Sequence, residues 1–270
     1  MPELIDFVII TALEIERRAV CAAFGLTSEH RERRGSRVYW RGRLNLLGGD
    51  YYEIAIAQSP DMANVDAALL TSDALHHWKP EAALMVGIAA AASPNQHLGE
   101  VIVGSDVYYY ERGKVHSAGK KTEPKMYPAD ATLWNNVNAV PEWDTEILAD
   151  RPDGKPIRPQ IRKGVIASGE KVIADAVIRD QIASGQRKIL AVEMEGYGFS
   201  AAVWQSFQRV RHLVIRGICD LADSTKSDDW HSYAAAVAAS FAKHLLLDRP
   251  LDPRNLGDTY REGSTGVNPS

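Results

Sequence analysis

Residues able to do acid–base chemistry recur in this sequence just after runs of β-forming residues. Glu14 and Glu16 follow Phe7-Val8-Ile9-Ile10, and Gly87-Ile88-Ala89-Ala90-Ala91 follow Ala82–Val86. Ser168-Gly169-Glu170-Lys171 follow Gly164–Ala167, Glu193-Met194-Glu195-Gly196 follow Ile189–Val192, and Cys219-Asp220-Leu221-Ala222-Asp223 follow His212–Ile218. In open α/β sheets ligands bind outside the carboxyl ends of the strands, so this spacing gathers the acids on one edge. Carboxylates sharing a partly buried cleft push one another's proton affinities apart, so one can serve as acid and another as base. Each residue also has an ordinary reading. Glu16 alone is a solvated helix residue, Asp220 a cap or turn residue, and Glu195 a favourable charge at a helix N-terminus. Arg216 alone is the ion-pair partner of a neighbouring carboxylate, and Cys219 a small buried filler.

The elements that must position these residues alternate between strand and helix. Thr11 followed by Glu14 fits a capping box, which predicts a helix starting there with Glu16 in its first turns. Val38-Tyr39-Trp40 and Glu53–Ala57 read as strands joined through Gly48-Gly49-Asp50. Val65 to Trp78 carries apolar residues at helical spacing and stops before Pro80. Further strands are expected over 82–87, 100–103, 164–167, 189–192 and 212–218, with helices near 172–184, over 195–206 and over 229–247. The order predicts an α/β fold, a three-layer α/β/α sandwich around a mixed, twisted central sheet. Residues 1–247 would form the catalytic domain and 248–270 a flexible polar tail or linker. Tyr108 to Pro128, with Lys114, Lys120, Lys121 and Lys125, reads as a basic aromatic binding loop whose Tyr108 to Tyr110 line a pocket, and Pro141 to Pro159 as a second long loop.

Composition narrows the classes. With 270 residues, 45% hydrophobic and 24% charged, the chain is long enough for a sizeable core. A net charge of −4 gives no footprint for nucleic acid. Two cysteines, Cys21 and Cys219, argue for a reducing compartment rather than a disulfide framework. The N-terminus lacks the basic and long apolar regions of a signal peptide, and no apolar run is long enough for a bilayer. A cytoplasmic protein without membrane contact is expected. His76, His77, His97, His116 and His231 show no ligand spacing, so neither metal nor cofactor is expected.

Ala191-Val192-Glu193-Met194-Glu195, followed by Val214-Ile215-Arg216-Gly217-Ile218-Cys219-Asp220-Leu221-Ala222-Asp223, resembles the paired signature of the methylthioadenosine/S-adenosylhomocysteine nucleosidases and their nucleoside phosphorylase relatives. Ile9–Glu16, Lys79-Pro80, Leu98–Val103 and Ser168-Gly169-Glu170 fall in the same family's order, so the resemblance spans residues 5 to 247. It implies a nucleoside phosphorylase-like fold and cleavage of the N-glycosidic bond of a purine nucleoside or nucleotide. It also implies Asp220 as the acid that protonates the leaving base and Glu16 as the carboxylate that activates water. Glu195 matches the acceptor for the ribose hydroxyls, Met194 lies against the sugar, Val172 and Ile173 line the base, and Ala90 contacts substrate. Ile88, Ala89, Glu193, Arg216 and Cys219 complete the candidate substrate-binding set. Relatives assemble as dimers or hexamers, so a homo-oligomer is expected.

The departures from the family are informative. Met85 and Ile88 stand where the phosphorylase branch has a phosphate-binding Arg and a Ser, so water is the expected nucleophile. Val172 replaces a stacking Phe, and Cys219 a Ser beside the acid. Lys114, Lys120, Lys121 and Lys125 with Arg31, Arg33, Arg34 and Arg37 suit a phosphorylated 5′ end as in AMP- or ATP-cleaving relatives, which would fit a nucleotide-depleting effector in antiviral defence. A neutral 5′-thionucleoside, a phosphorylase, and a non-catalytic nucleotide sensor are the alternatives.

Overall fold

The computed structural model describes residues 4–117, 119–140, 142–206 and 208–254, and the side chains of all of these except 115 and 119–121. In chain order the elements are β1 (Phe7–Thr11), α1 (Glu14–Ala23), β2 (Arg31–Arg34), β3 (Arg37–Asn45), β4 (Tyr51–Gln58), α2 (Asn64–Trp78), β5 (Ala82–Ala91) and β6 (Val101–Tyr109). They continue with β7 (Gly113–His116), β8 (Gly119–Thr122), β9 (Lys125–Pro128), α3 (Ala131–Ala139), β10 (Ile161–Ser168), α4 (Ala176–Ser184), β11 (Ile189–Glu193), α5 (Gly196–Gln205), β12 (Arg211–Asp220) and α6 (His231–Leu247). Successive strand residues point to opposite sheet faces. Phe7, Ile9, Leu84 and Val86 accordingly pack with residues of α1, α3 and α6 on one face. Val8, Ile10, Ala83 and Met85 pack with residues of α2 and α5 on the other. The result is the expected three-layer arrangement around a mixed sheet.

The main sheet runs β11-β10-β6-β12-β5-β1-β4-β3-β2, with β9 attached to β6. One end of it is not open. β11 also pairs antiparallel with the far end of β5, setting Ala191 against Ala91 and Val192 against Ala90. β5, β12, β6, β10 and β11 thus close into a partial barrel, which removes an exposed edge. Only small side chains at 89–91 let the two chain segments approach so closely. The closure brings the Ile88–Ala90 stretch beside Glu193-Met194-Glu195. What reads as a small-residue loop is therefore strand, because β5 continues to Ala91.

Other boundaries move for identifiable reasons. The Thr11–Glu14 capping box does not form: Thr11 Oγ1 donates to the Ala57 carbonyl, and Glu16 accepts from the Leu13 N–H at 2.9 Å at the start of α1. The helix expected near 172 starts at Ala176, where Asp175 accepts from the N–H groups of Val177 and Ile178 as N-cap. The long basic loop is a β7–β8 hairpin followed by β9. The tail does not begin at 248. Leu251 is buried, its carbonyl accepts from Tyr52 Oη, and the Arg254 N–H donates to Asp6 Oδ1 at 2.9 Å. The rest of the expected tail, residues 255–270, lies outside the described residues. No helix among the described residues is long and apolar enough to cross a membrane.

Candidate active site

Four strand ends and the start of α1 supply the walls of one cleft. Its lining includes Glu16 and Asp220, the stretch Ile88–Ala90, Val172 and Ile173, Glu193-Met194-Glu195, and Cys219. Every sequence-proposed site residue but Arg216 faces this space. Arg216 is fully buried behind it. Tyr108 and Tyr110, expected to line it, instead pack behind the wall with Ile173 and Val192.

Arg216 organises the acids. Its Nη2 donates to Glu193 Oε2 and to Glu195 Oε2 at 3.3 Å, and Nη1 stands 3.8 Å from Glu16 Oε1. Nη2 also reaches the Met85 sulfur at 3.4 Å. A guanidinium this deep is tolerable only with opposite charge around it, and the three carboxylates raise its proton affinity against the opposing effect of burial. Gly87 makes room: a Cβ there would overlap both Glu16 Oε1 and Arg216 Nη1. Arg216 is thus placed behind the cleft, holding its acids, and is not among the lining residues.

The acids differ in their remaining partners. Glu16 Oε2 accepts from the Ala12 and Leu13 N–H groups at 2.7 and 2.9 Å, and Oε1 from the Ile88 N–H at 2.8 Å. Oε1 thus keeps acceptor capacity toward the cleft. Glu193 is used up internally, accepting from the N–H groups of Glu195 and Gly196 as well as from Arg216. Glu195 accepts from the Ala63 N–H at 3.2 Å. Its carboxyl is pushed up to about 7, first by burial and then by Glu193 and Glu16, with Arg216 opposing.

Asp220 reaches the cleft through a bulge. The pairing of β12 with β5 slips between Ile218 and Asp220, and such an extra residue re-aims the side chain that follows. Asp220 Oδ1 accepts from the Ala222 N–H at 2.8 Å, in a turn whose Ala222 has a left-handed φ of 52°. Oδ2 pairs with Lys226 Nζ at 3.2 Å and accepts from the Cys219 thiol at 3.4 Å. Burial, reinforced by Asp220, pushes that thiol well up. Cys219, Asp220 and His231 present ligand atoms within 4.8 Å of one another, a grouping that their sequence spacing did not reveal.

Sequence reasoning missed several contributors. Asn64 joins three segments: its Nδ2 donates to the Gly169 carbonyl and Glu170 Oε1, and its Oδ1 accepts from Ser168 Oγ and the Gly198 N–H. Its neighbour Ala63 has φ 85° and ψ 164°, a conformation favoured only by glycine, and from it gives its N–H to Glu195. Arg179, buried in α4, donates to the Leu221 carbonyl at 2.9 Å and steadies the turn after Asp220. A buried Asn or Arg has no periodic signature. Lys171, Lys226, Met62 and His231 also line the cleft.

The basic groups proposed for a 5′ phosphate whose side chains are described do not. Lys114 pairs with Glu123, Lys125 lies over the Tyr127 ring, and Arg37 pairs with Asp73. Arg31 lies in another cleft beside Arg17 and Arg18, Arg34 stacks over Trp78, and Arg33 is absent from the lining. The side chains of Lys120 and Lys121 lie outside the described set.

Residues 6–248 match the model of the phosphorylase superfamily. The ATP nucleosidase Cap17 of Escherichia coli is 31% identical over 258 residues, covering 88% of this chain and 50% of that protein; this chain thus spans about half the length of that relative. A 5′-methylthioadenosine/S-adenosylhomocysteine nucleosidase of Staphylococcus epidermidis is 25% identical over 221 residues, covering 78% and 86%. The crystal structure of S-adenosylhomocysteine nucleosidase from Streptococcus pyogenes in complex with 5-methylthiotubericidin superposes with a TM-score of 0.72 at 21% identity, covering 92% of this chain and 98% of that one.

Removing the guanidinium leaves buried carboxylates without their counter-charge. Arg216→Met is expected to lower unfolding stability by about 3–5 kcal/mol, read from urea denaturation at neutral pH. A loss below about 1 kcal/mol would mean that the acids are held by other groups.

Proposed function

The chain belongs to the phosphorylase superfamily, and on that premise we propose that it hydrolyses the N-glycosidic bond of a purine nucleoside or nucleotide. Asp220 protonates the leaving base and Glu16 activates water. The observation that carries this reading is that both acids, far apart in sequence, line the same cleft. Cleavage passes through an oxocarbenium-like sugar and a poorly leaving base, so it needs an acid at one end and a carboxylate at the other. Glu16 in this role accepts a proton from water through the free capacity of Oε1 while its charge stabilises the cationic sugar. Glu195 accepts from the ribose hydroxyls, with Met194 against the sugar. Val172, Ile173 and Ile88–Ala90 hold the base and sugar by apolar contact.

Electrostatics favours water over phosphate as the nucleophile. Around Glu16 stand Glu193 and Glu195 with Arg216 as their shared cation. A phosphate dianion there would face acids outnumbering the guanidinium. Each like-charge pair at about 4 Å costs roughly 4 kcal/mol at an effective dielectric near 20. Within the substrate class a nucleotide is favoured over a neutral thionucleoside. The similarity to an ATP nucleosidase supports this, as do two lysines among the cleft residues, Lys171 and Lys226, which are ion-paired with Glu111 and Asp220.

Incubation with methylthioadenosine, adenosine, AMP, ATP and GTP, with and without inorganic phosphate, tests the reading. Free base and a reducing sugar are expected, at a rate that phosphate leaves unchanged. Sugar 1-phosphate as the product would make the chain a phosphorylase. Tight binding with no base released would make it a sensor. Glu16→Gln and Asp220→Asn should each lower kcat/KM by about 10²–10⁴-fold.

The raised proton affinity of Glu195 adds a pH dependence. Below about pH 7 its carboxyl is protonated and offers the sugar a poorer acceptor, so kcat/KM should rise with pH until about 7 and then level. Glu195→Gln should remove that limb and lower kcat/KM by about 10–100-fold, the worth of a hydrogen bond to a charged group. A wild-type profile flat from pH 5.5 to 8 would show that Glu195 does not receive the sugar.

A further inference from the structure

We propose that Cys219, Asp220 and His231 form an inhibitory binding site for a borderline-soft divalent cation of the zinc class. The donors come from two elements. Cys219 and Asp220 end β12, and His231 opens α6 across the intervening turn. Their ligand atoms all lie within 4.8 Å of one another, and all three residues line the cleft, so an ion entering it reaches them directly. The Cys219 sulfur and Asp220 Oδ2 are already 3.4 Å apart. A tetrahedral ion with bonds of about 2.0–2.3 Å holds its ligand atoms about 3.3–3.8 Å from one another. The widest separation therefore has to close by about an ångström, within reach of a rotation of the His231 ring.

A second observation points the same way. His231 Nε2 is shut off from solvent without a hydrogen-bond partner. Asp228 Oδ1 stands 3.4 Å away, out of hydrogen-bond alignment. A ring nitrogen shut off from solvent without a hydrogen bond is uncommon in a folded protein, and a ring nitrogen of this residue lies within 4.8 Å of the thiol sulfur and the carboxylate oxygen. One sulfur, one nitrogen and one oxygen donor select zinc-like ions over magnesium or calcium, which take oxygen ligands.

The charges balance. Asp220 is now offset by Lys226 at 3.2 Å. On metal binding the ammonium leaves, the Cys219 thiol releases its proton to solvent, and the dication is neutralised by the thiolate and the carboxylate. Lys226 is partly exposed, in a turn between β12 and α6, so it can swing outward. The metal then occupies the lone pairs of the carboxylate that would otherwise carry a proton to the leaving base. Occupation of the site stops turnover, and removal of the ion restores it.

Binding is measurable without turnover, so its outcome is separate from that of the proposed reaction. Metal-free protein is titrated with Co²⁺ as a spectroscopic stand-in for Zn²⁺. A thiolate-to-cobalt charge-transfer band is expected, saturating at one equivalent, abolished by Zn²⁺ and unmoved by excess Mg²⁺. Cys219→Ser should remove the band and Cys21→Ser should keep it. His231→Gln, which keeps a polar side chain at the start of α6, should weaken Co²⁺ binding by at least about tenfold. On a substrate that the protein cleaves, Zn²⁺ should abolish base release and a chelator should restore it. Absence of the band, its survival in Cys219→Ser, or unaltered affinity in His231→Gln overturns the assignment. A zinc-free band with no cleavage of any purine substrate would instead sink the proposed reaction and leave the metal site standing.

Discussion

A single guanidinium enclosed by carboxylates sets the layout of the cleft. Arg216 sits on the middle of a central strand with no access to water, so its charge has to be met within the protein. Glu193 and Glu195 meet it from the end of β11, and Glu16 from the start of α1. The acids arrive from two distant parts of the chain, yet all three are drawn to one point. The same attraction that makes burying the arginine tolerable thereby fixes where the cleft's acids can stand. The arrangement adds little net stability, because desolvation cancels much of the Coulombic gain; what it secures is position.

Position is secured in the backbone as well. Ala63 holds a φ of 85° and directs its N–H at Glu195, and Ala222 holds a left-handed turn under Asp220. Conformations of this kind cost about 1–3 kcal/mol each and persist only where the surroundings enforce them. Asn64 and Arg179 supply part of that enforcement, clamping the 168–170 turn and the turn after β12. A slip in the β12–β5 pairing aims Asp220 inward, and the β11–β5 closure carries the Glu-Met-Glu segment to the same space. The cleft is therefore assembled by irregularities in an otherwise regular sheet.

Those irregularities are also the part that the sequence hid. Strands β1, β5, β11 and β12 were legible as apolar, β-branched runs, and α2 and α6 as apolar residues at helical spacing. The acids that follow the strands were legible because parallel-type sheets put ligands at strand ends. The role of Arg216 was not, since a charged residue inside a strand has no pattern that says which carboxylates enclose it. The strand pairing that closes the barrel depends on contacts between residues a hundred positions apart. Asn64 and the Cys219–Asp220–His231 grouping are likewise tertiary facts. The lysine-rich stretch at 114–125 stands out by composition, yet Lys114 is met by Glu123 and Lys125 by the Tyr127 ring, and the lysines among the cleft residues are the less conspicuous Lys171 and Lys226.

If Arg216 serves chemistry by placing the carboxylates around it, removing the cation or one of those acids should damage the same step. The most direct measurement is a double-mutant cycle on kcat/KM with Arg216→Lys, which keeps the charge and loses the reach, and Glu16→Gln. The expected result is strong non-additivity, the double variant being about as slow as the slower single one. Losses that simply multiply would show that the two residues act independently and would contradict the organisation of the cleft around one buried cation.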